Sequence, residues 1–199
     1  MKNKINQDTT EYWDKVYSGE PYQDRIKNDR ELWIKFLDES IDHSKPLKIL
    51  EFGCGIGDYT SYLHSKGHDV LGVDYSPEAI KVARSRYPHV SYNLKDIRDF
   101  KEFQKWDVII AFEVIEHLEN PEPVLYWLRK AIRPEGKFIF SLPHKDGRFG
   151  VFPEHYTLWD FNIIFDTFNK YWNKISFYKV HSMCNGTNIF GTAKQVKKW

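Results

Sequence analysis

The chain has 199 residues, 41% of them hydrophobic, which is enough for one buried core and too many for a disordered polymer. Lys and Arg number 29 against 28 Asp and Glu, a formal net charge of +1. No strong global field therefore draws the protein to nucleic acid or to an anionic membrane.

In chain order, the opening residues MKNKINQDTTEYW carry no apolar run of the kind a secretory leader has. Trp33, Phe36 and Leu37 then mark one face of a helix, and residues 1–45 are expected to form an N-terminal helical cap. Residues 48–52 read as a short buried strand that runs into a glycine cluster, and residues 69–73 as a second strand ending at Asp74. Ser76 is a natural helix cap with Pro77 in the first turn, and Ala79, Ile80, Val82 and Ala83 supply the apolar stripe. Residues 90–93 form a weaker third strand. Residues 107–112 are a near-continuous apolar run, as in buried parallel sheets, and far too short to span a bilayer. Pro121 or Pro123 opens a helix with Val124, Leu125, Leu128 and Ile132 on one face, and Pro134-Glu135-Gly136 ends it. Residues 137–142 follow as a strand, residues 158–168 as a helix, and residues 174–180 and 188–193 as two last strands. Strands alternating with helices predict an α/β fold over 1–199, one domain, with a mostly parallel sheet covered on both faces. Two cysteines, Cys54 and Cys184, can build neither a disulfide framework nor a four-cysteine zinc site, so a reduced, cytoplasmic setting is expected.

Glu51-Phe52-Gly53-Cys54-Gly55-Ile56-Gly57 joins the first strand to a helix. Glycines there allow a tight turn and the close approach of a ligand. Asp74 ends the next strand roughly 20 residues on, where a carboxylate can hold ribose hydroxyls. The spacing is G-x-G-x-G rather than the dinucleotide pattern G-x-G-x-x-G, and Glu51 stands two residues before the first glycine. A carboxylate there suits a ligand carrying an ammonium and a sulfonium better than a pyrophosphate.

This pattern resembles the class I S-adenosylmethionine-dependent methyltransferases, over roughly Tyr12 to Gly191. The resemblance implies a Rossmann-like, doubly wound sheet of seven strands, one of them antiparallel and lying between the two before it. It implies S-adenosylmethionine as cofactor and S-adenosylhomocysteine as product. By the same resemblance Gly53, Cys54, Gly55 and Gly57 form the cofactor loop, with Glu51 toward the methionine amino group. Asp74 holds the ribose, Tyr75 and Ser76 line its side, Asp96 and Ile97 read and pack the adenine, and Phe112 and Glu113 stand beside the methionine portion. Tyr12-Trp13-Asp14-Lys15-Val16-Tyr17, with Tyr12 and Trp13 toward the cofactor, is similar to a segment that closes over it.

In the family resembled, methylation of an adenine or glutamine nitrogen goes with an Asn/Asp-Pro-Pro-aromatic motif after the fourth strand. Phe112-Glu113-Val114-Ile115 stands there instead, Cys54 is in the cofactor loop and Cys184 is distant in sequence, which disfavours that chemistry and cytosine C5 methylation. Glu113, Glu116 and His117 instead share one side of a helical turn, and His155 comes later. Two carboxylates with imidazoles suit Mg²⁺ or Mn²⁺, and such an ion can acidify a hydroxyl. The stretch is similar both to ubiquinone-biosynthesis O-methyltransferases and to small-RNA 2′-O-methyltransferases. It also occurs where Glu116 and His117 only shape the loop. His117 and His144 are the candidate bases. The expectation is methyl transfer to a small-molecule hydroxyl. The alternatives are an RNA 2′-O-methyltransferase with a metal site and an inactive cofactor-binding subunit. The neutral charge argues against a nucleic-acid partner, and no segment spans a membrane.

Overall fold

The computed structural model describes residues 10–18, 20–99, 104–145, 159–182 and 186–194. Two helices, α1 (Thr10–Ser18) and α2 (Glu20–Ser40), precede the first strand. Then come β1 (Lys48–Phe52), α3 (Asp58–Ser65), β2 (Asp69–Asp74), α4 (Pro77–Arg86), β3 (Ser91–Leu94), β4 (Trp106–Phe112), α5 (Glu122–Ala131), β5 (Ile132–Pro143), α6 (Phe161–Phe168), β6 (Lys174–Ser182) and β7 (Gly186–Lys194).

The seven strands form one sheet in the order β3-β2-β1-β4-β5-β7-β6. β1 to β5 pair in parallel, and β7 runs antiparallel to both β5 and β6. The fold expected from the sequence is the fold observed, including the reversed strand between the two before it. Alternation along each strand sends neighbours to opposite faces. Ile49, Val108, Ile110 and Ile139 meet Trp33, Phe36 and Leu37 of α2 and Leu63 of α3. Leu50, Ile109, Ala111 and Phe138 meet Leu125 and Leu128 of α5 and Ile164 and Phe168 of α6. This two-sided burial explains why the central strands read as continuous apolar runs rather than alternating ones.

Three boundaries differ from expectation. Ile132, expected on the helix, is the first residue of β5 and pairs with Trp106. Arg133 precedes Pro134, and proline sterics push a preceding residue out of the helical region. The pairing then skips from Trp106↔Ile132 to Val108↔Lys137, so residues 133–136 bulge out of the ladder. The last helix starts at Phe161 rather than at 158, because the Asp160 carboxylate accepts from the Ile163 N–H at 2.9 Å and Trp159 is held in a bridge with His144. β6 and β7 extend two residues past Val180 and begin two before Asn188, respectively.

Candidate active site

The strand order changes direction beside β1, whose neighbours β2 and β4 lead to opposite edges. Open α/β sheets receive ligands at such a point, outside the carboxyl ends of the strands. The glycine loop lies there. Gly53, Gly55 and Gly57 have φ of 65°, 50° and 84°, the left-handed region that side chains resist. A Cβ on Gly57 would run into the Tyr92 hydroxyl, and one on Gly53 into the Val114 side chain.

Asp74, at the end of β2, anchors this loop. Its Oδ2 accepts from the Gly55 N–H at 2.8 Å and its Oδ1 from the Ser76 N–H at 2.9 Å. The residue is 4% exposed, and burial pushes its carboxyl up to about 6 against the pull of those N–H groups. Ser76 caps α4, its Oγ accepting from the Ala79 N–H at 3.0 Å. That hydroxyl donates to Oδ1 of Asp14 at 2.5 Å, and the Glu78 N–H donates to the same oxygen at 3.2 Å. Asp14 therefore latches α1 onto the start of α4. Tyr17 packs on Ile56 and Ala79 with Trp13 and Val82 alongside, so α1 covers the loop. Tyr12 stacks edge-on against Trp13, with centroids 5.3 Å apart. Tyr75, which follows Asp74, is half-buried.

Glu51 is buried and accepts a hydrogen bond from the Thr60 hydroxyl. Burial pushes its carboxyl up to about 8, the Thr60 bond opposes this, and the charges of Asp58 and Asp74 add to it. Cys54 is buried beside it, and its thiol is pushed well up by that burial. Asp96 lies beyond β3. Burial opposes its ionisation, but the Arg98 side chain and backbone N–H outweigh that and hold the carboxyl below its usual range. Ile97 packs against the core next to it.

The other half of the site follows β4. Phe112 ends the strand, and Glu113 turns the chain with φ 54°, the one non-glycine residue of positive φ among those described. Its N–H donates to the Ser141 carbonyl at 3.3 Å, and the Ser141 hydroxyl donates to Glu113 Oε1 at 2.7 Å. The Trp33 indole N–H reaches the same hydroxyl at 3.4 Å. Burial pushes the Glu113 carboxyl up to about 7. Residues Ile115–His117 form a short 3₁₀ turn. It turns Glu116 inward to 1% exposure, with neither carboxyl oxygen hydrogen-bonded among the described residues. Burial, and then the Glu113 charge, push its carboxyl well up. His117 Nε2 stands 3.7 Å from Glu116 Oε1, and the His117 ring meets Trp13 edge-on at 5.1 Å.

Among the described residues no group of three or more side chains that could hold a metal converges. The 3₁₀ turn buries Glu116, and Glu113 is engaged by Ser141. His155, the fourth expected ligand, lies outside the described residues. The two candidate bases have different surroundings. His117 stands beside Trp13, whereas His144 is 3% exposed and packs against Phe161 of α6, centroids 5.9 Å apart. Sequence reasoning missed the Asp14 latch, the placement of Tyr17 and the Trp33–Ser141–Glu113 chain. Asp14 lay inside the Tyr12-Trp13 segment already singled out, but nothing in its spacing predicted a partner at Ser76.

Fold and loop together define a doubly wound α/β protein with a reversed seventh strand and a nucleoside-type loop at its switch point. A sequence model of a methyltransferase domain matches residues 25–185, and the chain belongs to that family. It is similar to a ubiquinone biosynthesis O-methyltransferase of Coxiella burnetii, 31% identical over 113 residues, which are 54% of this chain and 48% of that one. The mitochondrial counterpart of Schizosaccharomyces pombe is 35% identical over 101 residues, 47% of this chain and 37% of that one. The chain thus spans about half the length of the curated relatives it matches, or less. Among solved structures, the N-methyltransferase NodS of Bradyrhizobium japonicum, in complex with S-adenosylhomocysteine, superposes with a TM-score of 0.75 at 18% identity, covering 94% of this chain and 98% of that one. Phosphoethanolamine N-methyltransferase 2 of Haemonchus contortus superposes with a TM-score of 0.77 at 17% identity, covering 96% and 59%. These likenesses are of fold. No helix among the described residues is long and apolar enough to cross a membrane.

Proposed function

We propose that the chain is an S-adenosylmethionine-dependent methyltransferase acting on a hydroxyl oxygen of a small molecule. One observation carries the reading: a left-handed glycine loop held open by a buried carboxylate, Asp74, at the switch point of the sheet. The residues fit the cofactor. The Asp74 carboxylate accepts from the backbone N–H groups of Gly55, Ser76 and Tyr75, and of its roughly four acceptor positions that leaves one for a ribose hydroxyl. Glu51 is the carboxylate for the amino-acid end, where a neighbouring ammonium would favour its ionised form. Ile97 offers an apolar surface to the adenine and Asp96 an acceptor for its amino group. Trp13 and Tyr17 on α1 exclude water from the loop.

S-Adenosylmethionine supplies a methyl group already activated on a sulfonium. The protein is then needed mainly to align the acceptor and to remove a proton. His117 takes that proton in this reading, because Trp13 and Glu116 set its ring on the loop side of the sheet. Burial beside it pushes the Glu116 carboxyl well up, toward its uncharged form. The O-methyltransferase relatives support oxygen over nitrogen as acceptor atom, and the neutral overall charge supports a small molecule over RNA. No step is routed through a divalent ion.

The test incubates the protein with methyl-labelled S-adenosylmethionine and an extract of the source organism separated into RNA, protein and small-molecule fractions. Label is expected in a small molecule, on oxygen. Label in RNA or on a nitrogen would refute the reading of the acceptor, and failure to bind S-adenosylhomocysteine would refute the reading as a whole.

A further inference from the structure

Asn188 is 1% exposed, and neither its amide nitrogen nor its amide oxygen has a hydrogen-bond partner among the described residues. It stands near the start of β7, opposite Pro143. β7 runs against β5, so this end of β7 lies at the carboxyl end of the parallel strands. Strand alternation puts Asn188 on the face of Phe190, which packs on Trp33 and Phe36 of α2. Ser141 pairs with Phe190, and Phe112 with Ser141, so all four residues share that face. Ser141 is then a diagonal neighbour of Asn188, roughly 7–8 Å away, and it already holds Glu113 and Trp33.

Buried amides are almost always paired. This one occurs at the carboxyl end of the parallel strands, on the β4-β5-β7 side of the switch point, beside an already connected polar set. Nothing in the fold requires it: the β7 ladder uses only backbone groups, and an apolar residue of similar size would pack between Phe190 and Pro143. We propose that Asn188 determines acceptor specificity, its carboxamide giving an N–H to one oxygen of the acceptor and taking a hydrogen bond from a neighbouring hydroxyl. The matching acceptor is neutral and presents a donor beside an acceptor, such as a hydroxyl adjacent to a second hydroxyl or to a carbonyl. A carboxamide carries no charge with which to balance an ionised group on the acceptor. The inference rests on the methyltransferase reading and names the residue that recognises its acceptor.

The test compares wild type with Asn188→Leu, using the small-molecule fraction of a source-organism extract at graded dilution with labelled S-adenosylmethionine. Three results are expected. The extract concentration giving half-maximal labelling rises about tenfold in the variant, the loss of one or two hydrogen bonds to a neutral group. S-Adenosylhomocysteine affinity stays unchanged. The melting temperature rises, because an unpaired buried amide has been replaced by an apolar group of like volume. A merely structural amide would instead lose stability on substitution. An unchanged half-maximal concentration, or a lower melting temperature, overturns the proposal. Loss of S-adenosylhomocysteine binding by the wild type would instead overturn the reading on which it rests.

Discussion

Asp74→Ala removes the acceptor for three backbone N–H groups, those of Gly55, Ser76 and Tyr75. Each orphaned donor costs about 1–3 kcal/mol, so the folded state should lose at least roughly 3 kcal/mol, the low end of that range, where water fills the gap. Cofactor binding should lose more than the loop geometry alone. A hydroxyl bond to a carboxylate is worth about 1.5–3 kcal/mol, or about ten- to a hundredfold in affinity. Asp74→Asn is nearly isosteric and keeps one acceptor oxygen, so its loss should be nearer tenfold. Calorimetric titration of S-adenosylhomocysteine into each protein near neutral pH measures the affinities, and thermal unfolding with and without ligand shows that the variants are folded. A folded Asp74→Ala protein that binds within a factor of two of wild type would refute the assignment of Asp74 to the ribose and leave it as a loop anchor only.

Glu51→Gln should stabilise the unliganded protein at pH 8 and flatten its pH dependence. The folded carboxyl is raised from 4.5 to about 8, so the native state holds a proton that the unfolded chain releases. Stability is therefore full below about 4.5 and is lost as pH rises toward 8, by about 1.4 kcal/mol per unit within that window; thermal melts between pH 4.5 and 8 check the sign. His117→Ala should lower the rate of transfer at least about a hundredfold while leaving S-adenosylhomocysteine affinity within twofold, and equal losses of both would contradict its role as base. Glu116→Gln should keep the fold at neutral pH, because burial and the Glu113 charge push the carboxyl well up, toward its uncharged form, and activity should survive a chelator; loss of activity to a chelator, restored by Mn²⁺, would contradict the metal-free reading. Asp14→Ala should lower stability by about 1 kcal/mol through loss of the acceptor for the Ser76 hydroxyl and the Glu78 N–H, a fall of roughly 2–4 °C in Tm, and should weaken S-adenosylhomocysteine binding by releasing α1. An unchanged affinity would show that α1 does not close the site.

Most of the architecture was legible because its signals are local. The apolar runs of β1 and β4, the Ser76-Pro77 cap and the glycine cluster each depend on a few consecutive residues. The errors came where distant contacts decide. Ile132 fits the helical stripe of α5 by spacing, yet pairing with Trp106 and the proline two residues on make it strand. Glu113, Glu116 and His117 have helical spacing, but the chain passes through a left-handed Glu113 into a 3₁₀ turn, which buries Glu116 and sets His117 against Trp13.

By itself, the sequence determined the doubly wound class, the loop at the end of the first strand and the acid at the end of the second. Periodicity and glycine sterics act over a turn or a strand and need no partner. Only the tertiary structure decided what the polar groups do. Burial raises Glu51, Asp74, Glu113 and Glu116, and that depends on what folds over them. The contact of Asp14 with Ser76 joins residues 62 apart in the chain, and that of Trp33 with Ser141 joins residues 108 apart. Asn188 looks like any strand asparagine until the sheet order places it, unpaired, at the carboxyl end of β5. Which groups lose water, and which find partners, is a property of the packed molecule rather than of any segment.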